Sequence, residues 1–108
     1  MEMTNEYGQP LDRNGYAPSI ISNEAVCLNC YTTLNLQRHE VFHGMAYRQK
    51  SKKYGLWVHL CPVCHMTKVH NSDGELDLRL KELGQETAMT VYGWSKEDFR
   101  ERFGRSYL

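Results

Sequence analysis

Four cysteines and five histidines are the residues of this chain whose types and spacing can do chemistry. Cys27 and Cys30 form one Cys-x-x-Cys turn, "CLNC", and Cys61 and Cys64 form a second, "CPVC", with thirty residues between them. Each turn offers two sulfurs along one edge of a tetrahedron, so the two together predict a zinc site of four thiolates. Such a site leaves no open position for a substrate, and the expected zinc is structural. Two disulfides would need an oxidising compartment, and a redox pair would need a single Cys-x-x-Cys beside a parallel sheet.

The histidines, at 39, 43, 59, 65 and 70, all fall between residues 37 and 70. With sulfur filling the zinc site, His39, His43, His65 and His70 remain as a second collection of imidazoles near the same turns. His39, Glu40 and His43 lie within five positions of "RHEVFHG". Imidazole and carboxylate together suit a divalent ion that keeps positions open for a phosphate. His59 alternates with apolar neighbours and reads as a strand surface residue.

The elements that must position these groups can be read from periodicity. "LNLQRHEVF" (34–42) and "YGLWVHLC" (54–61) are the expected strands, the second with Leu56, Val58 and Leu60 on one side and Trp57, His59 and Cys61 on the other. Between them "HGMAYRQKSKK" reads as a basic loop, so the expected topology is an antiparallel pair with both Cys-x-x-Cys turns at one end. A helix follows, opened by Ser72 and Glu75 at capping-box spacing, carrying Leu76, Leu80, Leu83 and Val91 on one face and stopped by Gly93. "WSKEDFRERFG" reads as a second helix, with Ser95 and Asp98 at its cap and Phe99 and Phe103 paired at i and i+4. Residues 1–24 are rich in Asn, Gly, Pro and Ser and read as an extended or partly disordered arm, leaving 25–108 as the domain.

At 108 residues the chain is one small domain for which a metal staple is expected. Its formal net charge of zero conceals an asymmetry. Residues 37–70 carry Arg38, Arg48, Lys50, Lys52, Lys53 and Lys68 against Glu40 alone, so an anionic partner is expected at the middle third. The loop offers four of these cations between Tyr47 and Tyr54, a pattern that attracts phosphates and stacks bases. No apolar run reaches the roughly 18–20 residues that span a bilayer, no membrane partner is expected, and the first ten residues show no secretory pattern, so the expected location is the cytoplasm.

Over residues 26–71, "CLNC", "RHEVFHG", "LWVHLCPVCH" and "VH" together resemble the HNH nucleases, the zinc-knuckle branch of the ββα-metal fold. With the tail "FGRSYL", the chain is most similar to small phage-encoded HNH-like proteins, which places it in a host cytoplasm. The resemblance implies an α+β fold: a small ββα-metal core with a structural four-cysteine zinc knuckle, followed by C-terminal helices. It implies a metal-dependent DNA endonuclease or nickase, in which activated water attacks a phosphodiester of double-stranded DNA. His39 then falls on a metal ligand, Glu40 on the position of the general-base histidine, His65 on the helix-borne ligand to Mg²⁺, Mn²⁺ or Ni²⁺, and His70 on a second. Arg38, Arg48, Lys50, Lys52 and Lys53 become the nucleic-acid contacts. Three arrangements remain open: His39 is the base with Glu40 as ligand, His43 is the base, or catalysis is lost and the chain is a zinc-stapled module binding nucleic acid or a host or phage protein.

Overall fold

Burial of Leu56, Val58 and Leu60 on one side of a strand sets the architecture, because all three are fully shielded from water. The structure, a computed structural model, describes residues 3–66 and 74–108. Its elements run β1 (Gln37–Glu40), α1 (Arg48–Lys53), β2 (Trp57–Leu60), α2 (Glu75–Tyr92) and α3 (Lys96–Phe103). The strands pair antiparallel with Gln37 opposite Leu60, Arg38 opposite His59, His39 opposite Val58 and Glu40 opposite Trp57. This is a small α+β fold built on a two-stranded sheet.

Alternation along β1 divides its side chains between two faces. His39 shares the face of Val58, and Arg38 and Glu40 share the face of His59 and Trp57. Both strands are shorter than their hydrophobic runs. Val41 and Phe42 leave the strand and enter the core, each at most 2% exposed.

Between the strands the expected basic loop is instead partly helical, as α1. Residues 48–53 hold no Gly or Pro, and Arg, Gln and Lys are good helix formers. Ser51 fastens the turn from below: its hydroxyl donates to Phe42 O at 2.8 Å and accepts from Phe42 N at 3.1 Å, wholly buried. Gly55 then turns the chain into β2 with φ 71°, and a Cβ there would stand 2.3 Å from Pro18 O, so the position requires glycine.

Helix α2 keeps Leu76 and Leu80 of its expected apolar face against the core but turns Leu83 and Val91 outward. Leu80, Gly84, Gln85 and Ala88 are buried, whereas Leu83 and Val91 are 41% and 51% exposed. The small residues Gly84 and Ala88 let Val41 and Phe42 approach the helix axis, and a Cβ on Gly84 would meet Val41 Cγ1 and Phe42 Cε2 at 3.2 Å each. Gly93 ends the helix in the left-handed conformation, as expected. Ser72, the expected cap, lies outside the described residues. Helix α3 has the expected capping box between Ser95 and Asp98, and Phe99 and Phe103 stack at 4.9 Å under Phe42.

The N-terminal segment, expected as an extended or partly disordered arm, is extended and packed on the sheet. It covers the second face of the sheet: Trp57 Nε1 donates to Ala17 O at 2.7 Å, Ser19 Oγ to Trp57 O at 2.6 Å, and Ala17 N to Lys52 O at 2.9 Å. Further back, Asn5 Nδ2 donates to Lys53 O at 2.8 Å, and Tyr7 stacks on Tyr92 at 4.3 Å.

Candidate metal centre and second polar cluster

The two Cys-x-x-Cys turns meet. The sulfurs of Cys27, Cys30, Cys61 and Cys64 all lie within 4.8 Å of one another, with Cys30 Sγ 3.7 Å from Cys61 Sγ. Four sulfurs at about 2.3 Å from a zinc ion would stand about 3.8 Å apart, so the measured edge fits a tetrahedron. In each turn the backbone N–H of the last cysteine points at the sulfur of the first, at 3.5 Å for Cys30 to Cys27 and 3.4 Å for Cys64 to Cys61. Asn29 Nδ2 adds a donor to Cys64 Sγ at 3.3 Å. These hydrogens favour thiolate. Burial opposes ionisation of Cys27, but the surrounding backbone N–H groups outweigh it and bring its thiol down to about 6. Burial, with its neighbouring thiols, pushes Cys64 up to about 12. Four sulfurs this close do not all ionise without a cation among them. The cluster can hold a metal ion such as zinc.

Next to it lies a second group. His39, His43 and Asp77, from β1, the following loop and the first turn of α2, place one ligand atom each within 4.8 Å of the others. His39 is at the centre, 2% exposed, with its ring 5.4 Å from His43 and 5.1 Å from His65. His43 Nε2 lies 2.8 Å from Asp77 Oδ1, and Lys81 Nζ lies 2.8 Å from Asp77 Oδ2. Burial pushes the Asp77 carboxyl up, yet the hydrogen bonds from His43 and Lys81 prevail and hold it at about 2. An ionised carboxylate only accepts, so His43 carries its hydrogen on Nε2 and presents Nδ1 as its basic nitrogen when neutral.

His65 sits in a helical turn over 62–66 that begins at the knuckle, with its N–H on Cys61 O at 2.9 Å. Its Nδ1 is 2.8 Å from Gln37 Oε1; an amide oxygen cannot donate, so Nδ1 bears the hydrogen and Nε2 is basic.

Of the residues singled out by sequence, His39, His43 and His65 are brought together. Glu40 is not among them: it projects from the other face of β1, where Tyr16 OH donates to it at 3.0 Å, so no bulge turns it beside His39. Burial and the Glu40 carboxylate together push the Tyr16 hydroxyl up to about 12. His70 lies outside the described residues. His59 is half-buried with its ring edge on Trp57.

The cations expected to bind nucleic acid are mostly engaged within the chain. Arg38 pairs with Asp12 at 2.9 Å and lies over Tyr16 and Trp57, on the face opposite His39. Lys50 donates to Arg102 O at 2.7 Å, Lys52 lies over Tyr16, and Lys53 is 3.5 Å from Glu6. Arg48 is exposed at the start of α1.

Asp77 was not identified from sequence. The available signal was its place on the helical stripe it shares with Leu80, Gly84 and Ala88, a carboxylate at the end of a buried row, with Lys81 one turn later. Among the described residues no helix is long and apolar enough to cross a membrane. Comparison with protein-family models, with curated proteins and with solved structures returns no match.

Proposed function

We propose that this chain is a metal-dependent DNA endonuclease or nickase of the HNH kind, phage-encoded and acting in a host cytoplasm. The observation that supports the reading most is the pairing of two distinct ligand sets around one two-stranded sheet: four thiols in the turns flanking the strands, and His39, His43 and Asp77 converging from strand, loop and helix. The thiol set fits a structural zinc. The second set, one carboxylate and two imidazoles, fits Mg²⁺, Mn²⁺ or Ni²⁺.

A divalent ion bound by His39, His43 and Asp77 would supply Lewis-acid charge to a phosphate oxygen and acidify a bound water. The chain's own residues do the rest. Asp77 fixes the tautomer of His43, and Lys81 fixes the carboxylate. His65, kept in one tautomer by Gln37 and edge-on to His39, is the imidazole suited to accept the proton of an attacking water. Phe42, Val41 and Gly84 exclude solvent from beneath the site.

Nicking of supercoiled plasmid by zinc-loaded protein tests this. Cleavage is expected with at least one of Mg²⁺, Mn²⁺ and Ni²⁺, and should be lost in His39→Ala and strongly reduced in His65→Ala. Clean, folded protein that nicks with none of the three ions defeats the proposal. The placement of Glu40 favours one second reading, a zinc-stapled module that binds nucleic acid or a protein without cleaving, since the residue at the expected base position faces away from the cluster. That reading predicts binding without turnover and no second metal in Mn²⁺-soaked crystals.

A further inference from the structure

We infer that a nucleic-acid strand reaching the His39–His43–Asp77 cluster is gripped by Lys81, Arg105 and Tyr107, from α2 and the C-terminal segment. The inference rests on the nuclease reading and adds to it the residues that hold the polyanion.

Three observations converge on this edge. First, Lys81 is tied directly to the cluster through Asp77 Oδ2, and an ammonium has three N–H donors, so two are left to meet a phosphate beside the carboxylate. Its Nζ is also 5.5 Å from the centroid of the Tyr107 ring, and Arg105 Cζ is 4.7 Å from the same centroid. An aromatic ring beside two cations can serve single-stranded nucleic acid, the cations moving off the ring to meet the backbone and the ring face they leave stacking on a base.

Second, the C-terminal segment is fixed in place. Gln85, wholly buried in α2, donates through Nε2 to Ser106 Oγ at 2.9 Å and accepts at Oε1 from Tyr107 N at 2.6 Å. A buried amide whose two ends both bond this segment sets its path, and Tyr107 comes to rest against Phe42, the residue before His43, at 5.6 Å between rings. Third, of the cations expected from sequence, Arg38 is on the far side of the sheet and Lys52 and Lys53 lie against Tyr16 and Glu6 of the N-terminal segment, so this edge is supplied by other cations. The ligand class is therefore a phosphodiester strand with an unpaired base at the site.

Fluorescence anisotropy with a short labelled single strand and its duplex, on zinc-loaded full-length protein without other divalent ions, tests the assignment. Arg105→Ala is expected to weaken binding roughly threefold to tenfold and to reduce the salt slope by about one phosphate's worth. Arg105→Lys should restore most of the affinity. Tyr107→Ser should lose single-strand binding more than duplex binding. Arg100→Ala removes the same charge from the exposed surface of α3 and should change little. The inference is overturned if Arg105→Ala and Tyr107→Ser bind like the wild type, if Arg100→Ala loses as much as Arg105→Ala, or if the wild type binds no oligonucleotide. Plasmid nicking measured in parallel separates the two ideas. A wild type that nicks while the variants bind normally overturns the grip alone, and one that binds through these residues yet never nicks keeps the grip and removes the nuclease.

Discussion

His43 and Asp77 are 34 positions apart in sequence, yet His43 Nε2 and Asp77 Oδ1 stand 2.8 Å apart. The contact closes the loop after β1 onto the first turn of α2, and Lys81 grips the same carboxylate from the next turn. Protons and metal ions compete for this pair, since both seek the lone pairs of the same side chains.

The acid sensitivity of this contact can be given a sign. The folded-state pKa of Asp77, about 2, lies below its ordinary value of 3.8, so its stabilisation is complete above about pH 4 and is lost as the pH falls toward 2. The contribution is on the order of 2 kcal/mol. Asp77→Asn should therefore be less stable than the wild type by about that amount at neutral pH, measured by urea unfolding of zinc-loaded protein. The gap should narrow as acid is added. The narrowing is readable only down to the pH at which the thiolates still hold zinc. The absence of a stability gap at neutral pH refutes the ion-pair account.

Metal removal should unfold the domain rather than merely loosen it, because the two Cys-x-x-Cys turns come from distant parts of the chain and no disulfide joins them. One zinc per chain is expected by elemental analysis, falling to a small fraction in Cys61→Ser. A melting temperature unmoved by a strong chelator excludes a structural metal.

Gly84→Ala sets two effects against each other. Alanine gains about 1 kcal/mol of helix propensity, while overpacking costs about 1–3 kcal/mol. The new methyl would press on Val41 and Phe42 at 3.2 Å, and both are buried in the core, Phe42 against Phe99 and Phe103 of α3. Net destabilisation of about 1 kcal/mol is expected in urea unfolding. Equal or greater stability would show that Phe42 can yield.

Ser51→Ala removes the hydroxyl that serves both polar groups of Phe42. With those groups buried, the loss should be about 1–3 kcal/mol. The effect should also reach the neighbouring His43, so the affinity of Mn²⁺ for the second cluster should fall, read by titration calorimetry. A stability loss without any change in Mn²⁺ affinity would mean that the loop keeps its shape without this anchor.

Much of this architecture was legible where a residue type has a single use. The paired cysteine turns converge as their spacing predicts, and the alternation of Leu56, Val58 and Leu60, the cap at Ser95 and the Phe99–Phe103 pair each encode a local rule that packing did not override. What escaped depended on long-range packing. Gly84 and Ala88 turned α2 so that Leu83 and Val91 face water, because a helix can bury small residues when a neighbouring chain comes close. Ser51 anchors α1, which reads as a loop in sequence, through a bond to Phe42, nine residues away. Glu40 and His39 look like a unit in sequence, yet strand alternation separated them and a carboxylate from a remote helix took the nearer place.

A sheet only two strands wide has no width with which to protect its own back. Here that task falls to residues 3–24, whose backbone and side chains roof the indole of Trp57 and leave it 8% exposed. A fragment begun at Ala25 would hold every group with metal-binding chemistry, yet would bare that indole to water. Residues 3–24 thus stabilise, from outside, the sheet that carries the reactive residues.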